Sequence, residues 1–460
     1  MPTKPRPSGP TASTTGPAGT TRATGTASTI PAVTAADGAR RAEILACAAR
    51  LFASSGSVGT SLKDVAAACG ILPGSLYHHF ASKEAILLEL LVTYRCELDA
   101  AGAAALARLD RDDPGDATFG QIMALADAIA GIARRHRAAL QITMYEPPAG
   151  ASPQFAAQAR RGPETVDVAM DRLLRRAQDR GLVEAGVGPA VLARQLAESM
   201  RHVALAILLG GPPEQVAAAV CDLLLYGIAV QPLDDAELDR SAATAAADAA
   251  VRAWGEPDGG GPRDQRDQRD KAAGLRSVAR AEFARRGYEA TTVRDIAAAA
   301  GLAAGSVYRM IGTKEALLGS IMNAFHDQLS AGYDAVLAAD ASPLAQLDAL
   351  TWLNLNVLDR FGPELAIQAA WLRAVPPAAR DLRRPARRRA RQIGAVVAEG
   401  LRSGQLRAGS AVPPLDVLSA CVRDLSWLPA WMVQQQGARA ALAHSRATLI
   451  RGAAVRGRRA

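Results

Sequence analysis

The sequence is short of aromatic residues, which make up only 4 % of its 460 positions. Runs of β-branched residues are scarce as well, while alanine and leucine dominate. That mixture disfavours sheets and favours helices. Long apolar runs are missing. Stretches such as "VALAILLGG" at 203–211 fall well short of the ~20 residues a bilayer span needs, so no transmembrane segment and no membrane partner are expected. There are five cysteines, Cys47, Cys69, Cys96, Cys221 and Cys421, none in a CxxC or Cys/His pattern. An odd number without such spacing argues against a disulfide framework and for small core residues in a reducing, cytoplasmic setting. Catalytic signatures are lacking too. There is no GxSxG, P-loop, HExxH or strand-linked GxGxxG, and "GGG" at 259–261 lies in a linker-like stretch. Adjacent histidines, His78 and His79, point ~100° apart on a helix and have no evident third partner. Neither a metal nor a cofactor is expected.

What is present is a basic balance and a repeat. The net charge is +8 and the pI about 9.5, which permits binding to nucleic acid without establishing it. The length allows two to four domains. "GSLYHHFASKE" at 74–84 returns as "GSVYRMIGTKE" at 305–315, and over 60–87 against 291–318 the two copies agree at 13 of 28 positions without a gap. Both copies carry the same helix punctuation. A face of Ile44, Leu45, Ala48, Leu51 and Phe52 opens the first, as Leu275, Val278 and Phe283 open the second. Capping boxes follow, Ser61–Asp64 and Thr292–Asp295. Gly70 and Gly301 end those helices. Ser82 and Thr313 then cap a helix with an apolar stripe, Ile86 to Leu98 and Leu317 to Phe325.

Two short helices joined by a glycine-containing turn make a helix-turn-helix, whose second helix fits the DNA major groove. "TSLKDVAAACGILPGSLYHHFASKEAIL" and "TTVRDIAAAAGLAAGSVYRMIGTKEALL" resemble the DNA-binding domain of TetR-type transcriptional repressors over about 50 residues each. The chain is similar in layout to actinobacterial double-TetR repressors of lipid-uptake operons. The resemblance implies an all-α fold of two tandem units, each a helix-turn-helix domain followed by a helical effector and dimerisation domain. The expected boundaries are a disordered tail at 1–39, a first helix-turn-helix domain at 40–94 and its helical domain at 95–231. A linker at 232–270, a second helix-turn-helix domain at 271–329 and a second helical domain at 330–460 follow.

The resemblance also implies DNA contacts. Candidates in the first copy are Ser61, Lys63, Pro73, Gly74, Ser75, Tyr77, His78, His79 and Lys83. In the second they are Thr292, Arg294, Gly305, Ser306, Tyr308, Arg309 and Lys314. Lys83 and Lys314 sit in the first turn of a helix, where a cation opposes the dipole and a nearby phosphate would relieve it. The implied partners are double-stranded DNA and a hydrophobic or acyl-CoA-like effector. Pocket candidates are Tyr145, Arg201 and His202 in the first helical domain, and Trp352, Asn354, Trp371, Cys421, Trp427 and Trp431 in the second. The final helix pairs, 190–209 with 214–230 and 412–433 with 438–452, are expected to meet within one chain as an intramolecular pseudo-dimer. The basic run "RDLRRPARRRAR" at 380–391 reads as a solvated face or an anion contact. Competing readings are a non-specific architectural DNA binder and, less favoured, an enzyme with helical domains.

Overall fold

The computed structural model describes residues 35–455 apart from 58, 112–117, 144–150, 204–212, 255–262, 289, 374–378, 410–412 and 428–429. Among the described residues the chain is all-α, and its β contacts are two isolated bridges. Of the unit Met1–Ala42, the described part is the start of the first helix; Glu43–Ala460 forms the other unit.

The first repeat runs α1 (Ala35–Ser55), α2 (Leu62–Ala68), α3 (Pro73–His79), α4 (Lys83–Leu109), α5 (Thr118–Arg135), α6 (Arg137–Thr143), α7 (Pro153–Arg160), α8 (Glu164–Asp179), α9 (Pro189–Val203) and α10 (Pro213–Tyr226). Two helices follow, α11 (Asp235–Asp239) and α12 (Ala242–Ala253). The second repeat runs α13 (Arg263–Arg286), α14 (Val293–Ala299), α15 (Ala304–Ile311), α16 (Lys314–Ala338), α17 (Pro343–Arg360), α18 (Gly362–Arg373), α19 (Ala379–Arg402), α20 (Leu415–Leu425), α21 (Ala430–Gln436) and α22 (Ala438–Ser445). A π-helical turn, Arg446–Ile450, continues α22.

Two expectations change at the margins. The first helix starts at Ala35, not at 40, with Asp37 in its first turn where an anion suits the dipole. The stretch expected as a linker, 232–270, holds α11, α12 and the beginning of α13. Asp234 and Glu237 form a capping box on α11, and Ser241 caps α12. α12 packs against α16 and α17, burying Ala243, Ala247 and Val251, so it belongs to the second repeat's core. The start of α13 is helical because glycine and proline are absent from 263–273.

The two repeats meet through paired backbone crossings. Ile228 N–H donates to the Leu449 carbonyl (2.8 Å), and Ala453 N–H to the Leu224 carbonyl (3.0 Å). Ala229 N–H donates to Ile450 (3.1 Å), and Ala454 N–H to Leu225 (2.7 Å). Val230 to Gln405 and Val455 to Leu182 form a third pair, both 2.9 Å. The bridges Ala229–Leu406 and Val183–Ala454 follow the same exchange. Each bond from the first repeat to the second has its counterpart from the second to the first, the signature of an isologous, two-fold contact. At its centre lie Gly227 (φ +69°) and Gly452 (φ +88°). A Cβ on Gly227 would overlap the backbone of Ile450 and one on Gly452 that of Tyr226, so only glycine allows the crossing. Around it α10 packs on α20, the Trp431 indole N–H donates to Glu198 (2.9 Å), and His444 Nε2 lies 2.8 Å from Gln195 Oε1.

Candidate nucleic-acid interface

Each helix-turn-helix is built by the same local bonds. Ser61 Oγ accepts from Asp64 N–H (3.2 Å), while the Ser61 amide and hydroxyl both donate to Asp64 Oδ2 at 2.7 Å. Thr292 and Asp295 repeat this at 3.2, 2.8 and 2.6 Å. These donors hold both carboxyls below the usual carboxylate range. The helices end at Gly70 (φ +64°) and Gly301 (φ +66°), where Ile71 N–H returns to the Ala66 carbonyl and Leu302 N–H to Ala297. Leu76 and Val307 are both fully buried, and α3 and α15 pack on α2 and α14.

The opposite faces of α3 and α15 are open. Among the described residues eight large hydrophobic side chains stand exposed, and four flank or lie on these two helices: Leu72 (76 %), Tyr77 (56 %), Leu302 (40 %) and Tyr308 (54 %). Tyr77 and Tyr308 are therefore not core residues, and clustered exposed apolar groups mark a contact surface. Gly74 and Gly305 have nothing within 4 Å of a built Cβ. No packing reason explains them, and in the first turn of each helix glycine is a poorer helix former than alanine. Pro73, Ser75, His78 and Arg309 are exposed, and His79 and Ser306 half-buried. Arg309 Nη2 donates to Ser306 Oγ at 3.2 Å. Lys63 and Arg294 project into solvent from the first turns of α2 and α14.

Four candidates turn out to have work within the fold. The hydroxyls of Ser61 and Thr292 are engaged in the caps. Lys83 Nζ donates to the carbonyls of Ser57 (2.8 Å) and Thr60 (3.2 Å), tying α4 to the turn before α2. Lys314 lies over the Tyr288 ring, 4.1 Å from its centroid, and Tyr288 OH donates to Glu315 (3.0 Å). The dipole conflict that pointed to a phosphate is thus met from inside each repeat, by carbonyl oxygens in one and an aromatic face in the other.

The expected pocket residues do not gather into one site. Tyr145 and the Trp371 side chain lie outside the described residues. Arg201 pairs with Asp167 (3.0 Å), and His202 is exposed. Trp352 donates to Asp248 (2.8 Å) beneath Arg439, while Trp431 donates to Glu198 beneath Arg194. Asn354 accepts from Tyr333 OH (2.9 Å) and donates to Ser426 (3.0 Å). Cys421 is buried against α10, and burial pushes its thiol up to about 12; Trp427 is half-buried. Indole N–H groups satisfied by carboxylates are structural pins, and the bulk that singled them out reflects packing.

Residues the pattern did not single out are more telling. Within the basic run Arg388 pairs with Asp334 (2.8 Å), but Arg389 turns inward, is 7 % exposed, and leaves Nη1 without a partner. Both ring nitrogens of His326, Gln392 Oε1 and Ser419 Oγ are also buried without partners. Burial, then the Arg389 charge, lowers the His326 pKa to about 4. The helical register puts Arg95 of α4 where α16 has His326, and Arg95 Nε and Nη1 are likewise unpartnered. Among the described residues no group of three or more His, Cys, Asp or Glu is placed to hold a metal, and no helix is long and apolar enough to cross a membrane.

Known proteins place the two helix-turn-helix units directly. The family model for bacterial regulatory proteins of the tetR family matches residues 44–90 and again 275–321. The HTH-type transcriptional repressor KstR2 of Mycobacterium tuberculosis is 31 % identical over 159 residues, covering 34 % of this chain and 76 % of the relative. The HTH-type transcriptional regulator UidR of Escherichia coli is 29 % identical over 160 residues, 34 % of this chain and 75 % of that one. Among solved structures, the ketosteroid transcriptional regulator KstR2 of Mycobacterium tuberculosis aligns at 25 % identity and a TM-score of 0.32, covering 39 % of this chain and 89 % of that one. With its helix-turn-helix matched twice and a repressor relative covered over three quarters of its length, the chain belongs to the tetR family of bacterial regulatory proteins and carries two of its units in tandem.

Proposed function

We propose that the chain is a sequence-specific transcriptional repressor in which one polypeptide supplies both halves of the DNA-binding dimer. The observation that carries this is the two-fold exchange of backbone bonds around Gly227 and Gly452. Two-fold contacts of this kind set two recognition helices for half-sites about one helical turn, ~34–36 Å, apart. Here the helices are α3 and α15, with Gly74, Ser75, Tyr77, His78 and His79 facing one half-site and Gly305, Ser306, Tyr308 and Arg309 the other. Lys63 and Arg294 add phosphate contacts. The chain acts by binding rather than catalysis, in the cytoplasm where the chromosome lies. The effector is a small hydrophobic or acyl-type anion. Supporting it are the unpartnered Arg389, His326, Gln392 and Ser419, since a buried guanidinium without an anion costs several kcal/mol.

Unlike reading surfaces, "PGSLYHH" and "AGSVYRM", favour unlike half-sites. Selection of bound DNA from a random pool is expected to return one motif with two different halves. Exchanging His78–His79 with Arg309–Met310 moves the preference from one half to the other. A perfect palindrome would count against the internal dimer, and the absence of any motif would favour an architectural binder.

A further inference from the structure

Beside the second helix-turn-helix lies an open cleft of about 510 Å³. Its wall is made by Arg276 and Arg280 of α13, Phe325 of α16, Phe361 and Glu364 at the α17–α18 turn, and Trp254 just past α12. The aromatic part is continuous. The Phe361 ring stands 5.4 Å from Trp254 and 5.2 Å from Phe325. Arg360 fixes this wall by donating to the carbonyls of Val251 (2.9 Å) and Trp254 (2.8 Å). The polar part is incomplete. Arg280 Nη1 lies 3.1 Å from Glu364 Oε1, yet Arg280 Nε and Glu364 Oε2 are buried without partners, and Glu364 is only 4 % exposed. A single group that accepts from Nε–H and donates to Oε2 would complete the pair, and a hydroxyl is such a group. Arg276, one turn from Arg280 on the same helix face, supplies a second cation.

The first repeat carries different residues at the matching positions. In register with Arg276, Arg280 and Glu364 stand Leu45, Ala49 and Ala139. The residues corresponding to Arg360 and Phe361, Arg135 and His136, close that junction by binding Glu97 at 2.7 and 2.8 Å. Trp254 comes from α12, which lies between the repeats. The charged and aromatic lining is therefore particular to the second junction.

We infer that this cleft is a ligand site for a planar aromatic carboxylate carrying a hydroxyl. The ring lies on Trp254, Phe325 and Phe361, the carboxylate pairs with Arg276, and the hydroxyl bridges Arg280 and Glu364. Because α13 opens the second helix-turn-helix and α18 belongs to the helical domain behind it, occupancy shifts that one reading head. This consequence rests on the repressor reading above; the binding itself does not.

The test is calorimetry on the full chain without DNA, using 4-hydroxycinnamate and cinnamate as probes. One 4-hydroxycinnamate per chain is expected, at least about tenfold tighter than cinnamate, which lacks the bridging group. Arg276→Ala should weaken both probes about tenfold, and Glu364→Gln should bring the two probes within about threefold of each other, with thermal midpoints checked for each variant. Should Glu364→Gln fail to fold, Arg276→Ala alone decides. Absence of binding by either probe at millimolar concentration, or Arg276→Ala binding like the unaltered chain, overturns the site. Mobility shift of the selected DNA by ligand-free chain is measured separately. Failure there removes the repressor reading and leaves the calorimetry to judge the cleft.

Discussion

The first and second repeats agree where the chain holds itself together and differ where it faces something else. Both keep the capping box, the positive-φ glycine after it, the buried anchor of the recognition helix and the backbone crossing at Gly227 and Gly452. They part at the reading surface, His78–His79 against Arg309–Met310. They part again at the junction behind it, where Glu97 holds Arg135 and His136 in one repeat and Phe325, Phe361 and Trp254 line a cleft in the other. A duplicated scaffold was conserved in geometry while its two outward surfaces took on separate chemistry. Two identical subunits have no such freedom, since any change in one appears in both.

The largest effect should come from disturbing what the repeats share. Gly227→Ala and Gly452→Ala each force a Cβ into backbone at positive φ, and each is expected to cost about 3–5 kcal/mol in denaturant unfolding. If only one of the pair were destabilising, the two-fold crossing would not be the common foundation described. Next is acid. His326 is buried and His444 half-buried, both held neutral, with burial lowering both pKa values to about 4. The unfolded chain then takes up protons that the folded chain refuses. Stability is full above pH ~6.5 and falls between there and about pH 4, by up to ~3 kcal/mol for each histidine. His326→Asn should flatten part of that slope in thermal midpoints measured from pH 7 to 4. An unchanged slope would mean that the ring is not buried neutral.

A smaller contrast lies in the paired lysines. Lys83→Ala removes two bonds to carbonyls and is expected to cost about 1–2 kcal/mol. Lys314→Ala removes a ring contact worth only ~0.5–1 kcal/mol. Neither should alter the salt dependence of DNA binding; a slope lower by about one unit would restore the phosphate contact to that lysine. The smallest change in stability, and the sharpest in function, is Gly74→Ala or Gly305→Ala. Helix propensity predicts a gain of under ~0.5 kcal/mol, because both positions lie in a first turn rather than a helix interior and nothing nearby obstructs the methyl group. DNA affinity should fall, since the backbone can no longer approach closely. Unchanged affinity would leave both glycines unexplained.

The helix-turn-helix units were legible in the sequence because caps, turn glycines and apolar spacing are local signals, and the repeat printed them twice. The crossing was not recognised, although "YGIAV" at 226–230 and "RGAAV" at 451–455 share a glycine and its followers. Such a pair shows its meaning only when two distant backbones touch. The partners that the lysines have within the fold, carbonyls and a ring brought in by the preceding loop, are likewise invisible in any spacing. Tryptophans drew attention by size, yet Trp352 and Trp431 are held by carboxylates more than 100 residues away. Arg389 was hidden inside a run of arginines whose composition reads as solvated. Only the helix register, with Arg388 facing Asp334, turns its neighbour inward.

The internal dimer is tested most directly by the mass of the protein–DNA complex. Multi-angle light scattering, or native mass spectrometry, on the full chain with its selected DNA should give one 47.9 kDa polypeptide per duplex bearing two unlike half-sites. Two chains per duplex, with α3 of each protecting equivalent bases of a palindrome, would contradict it.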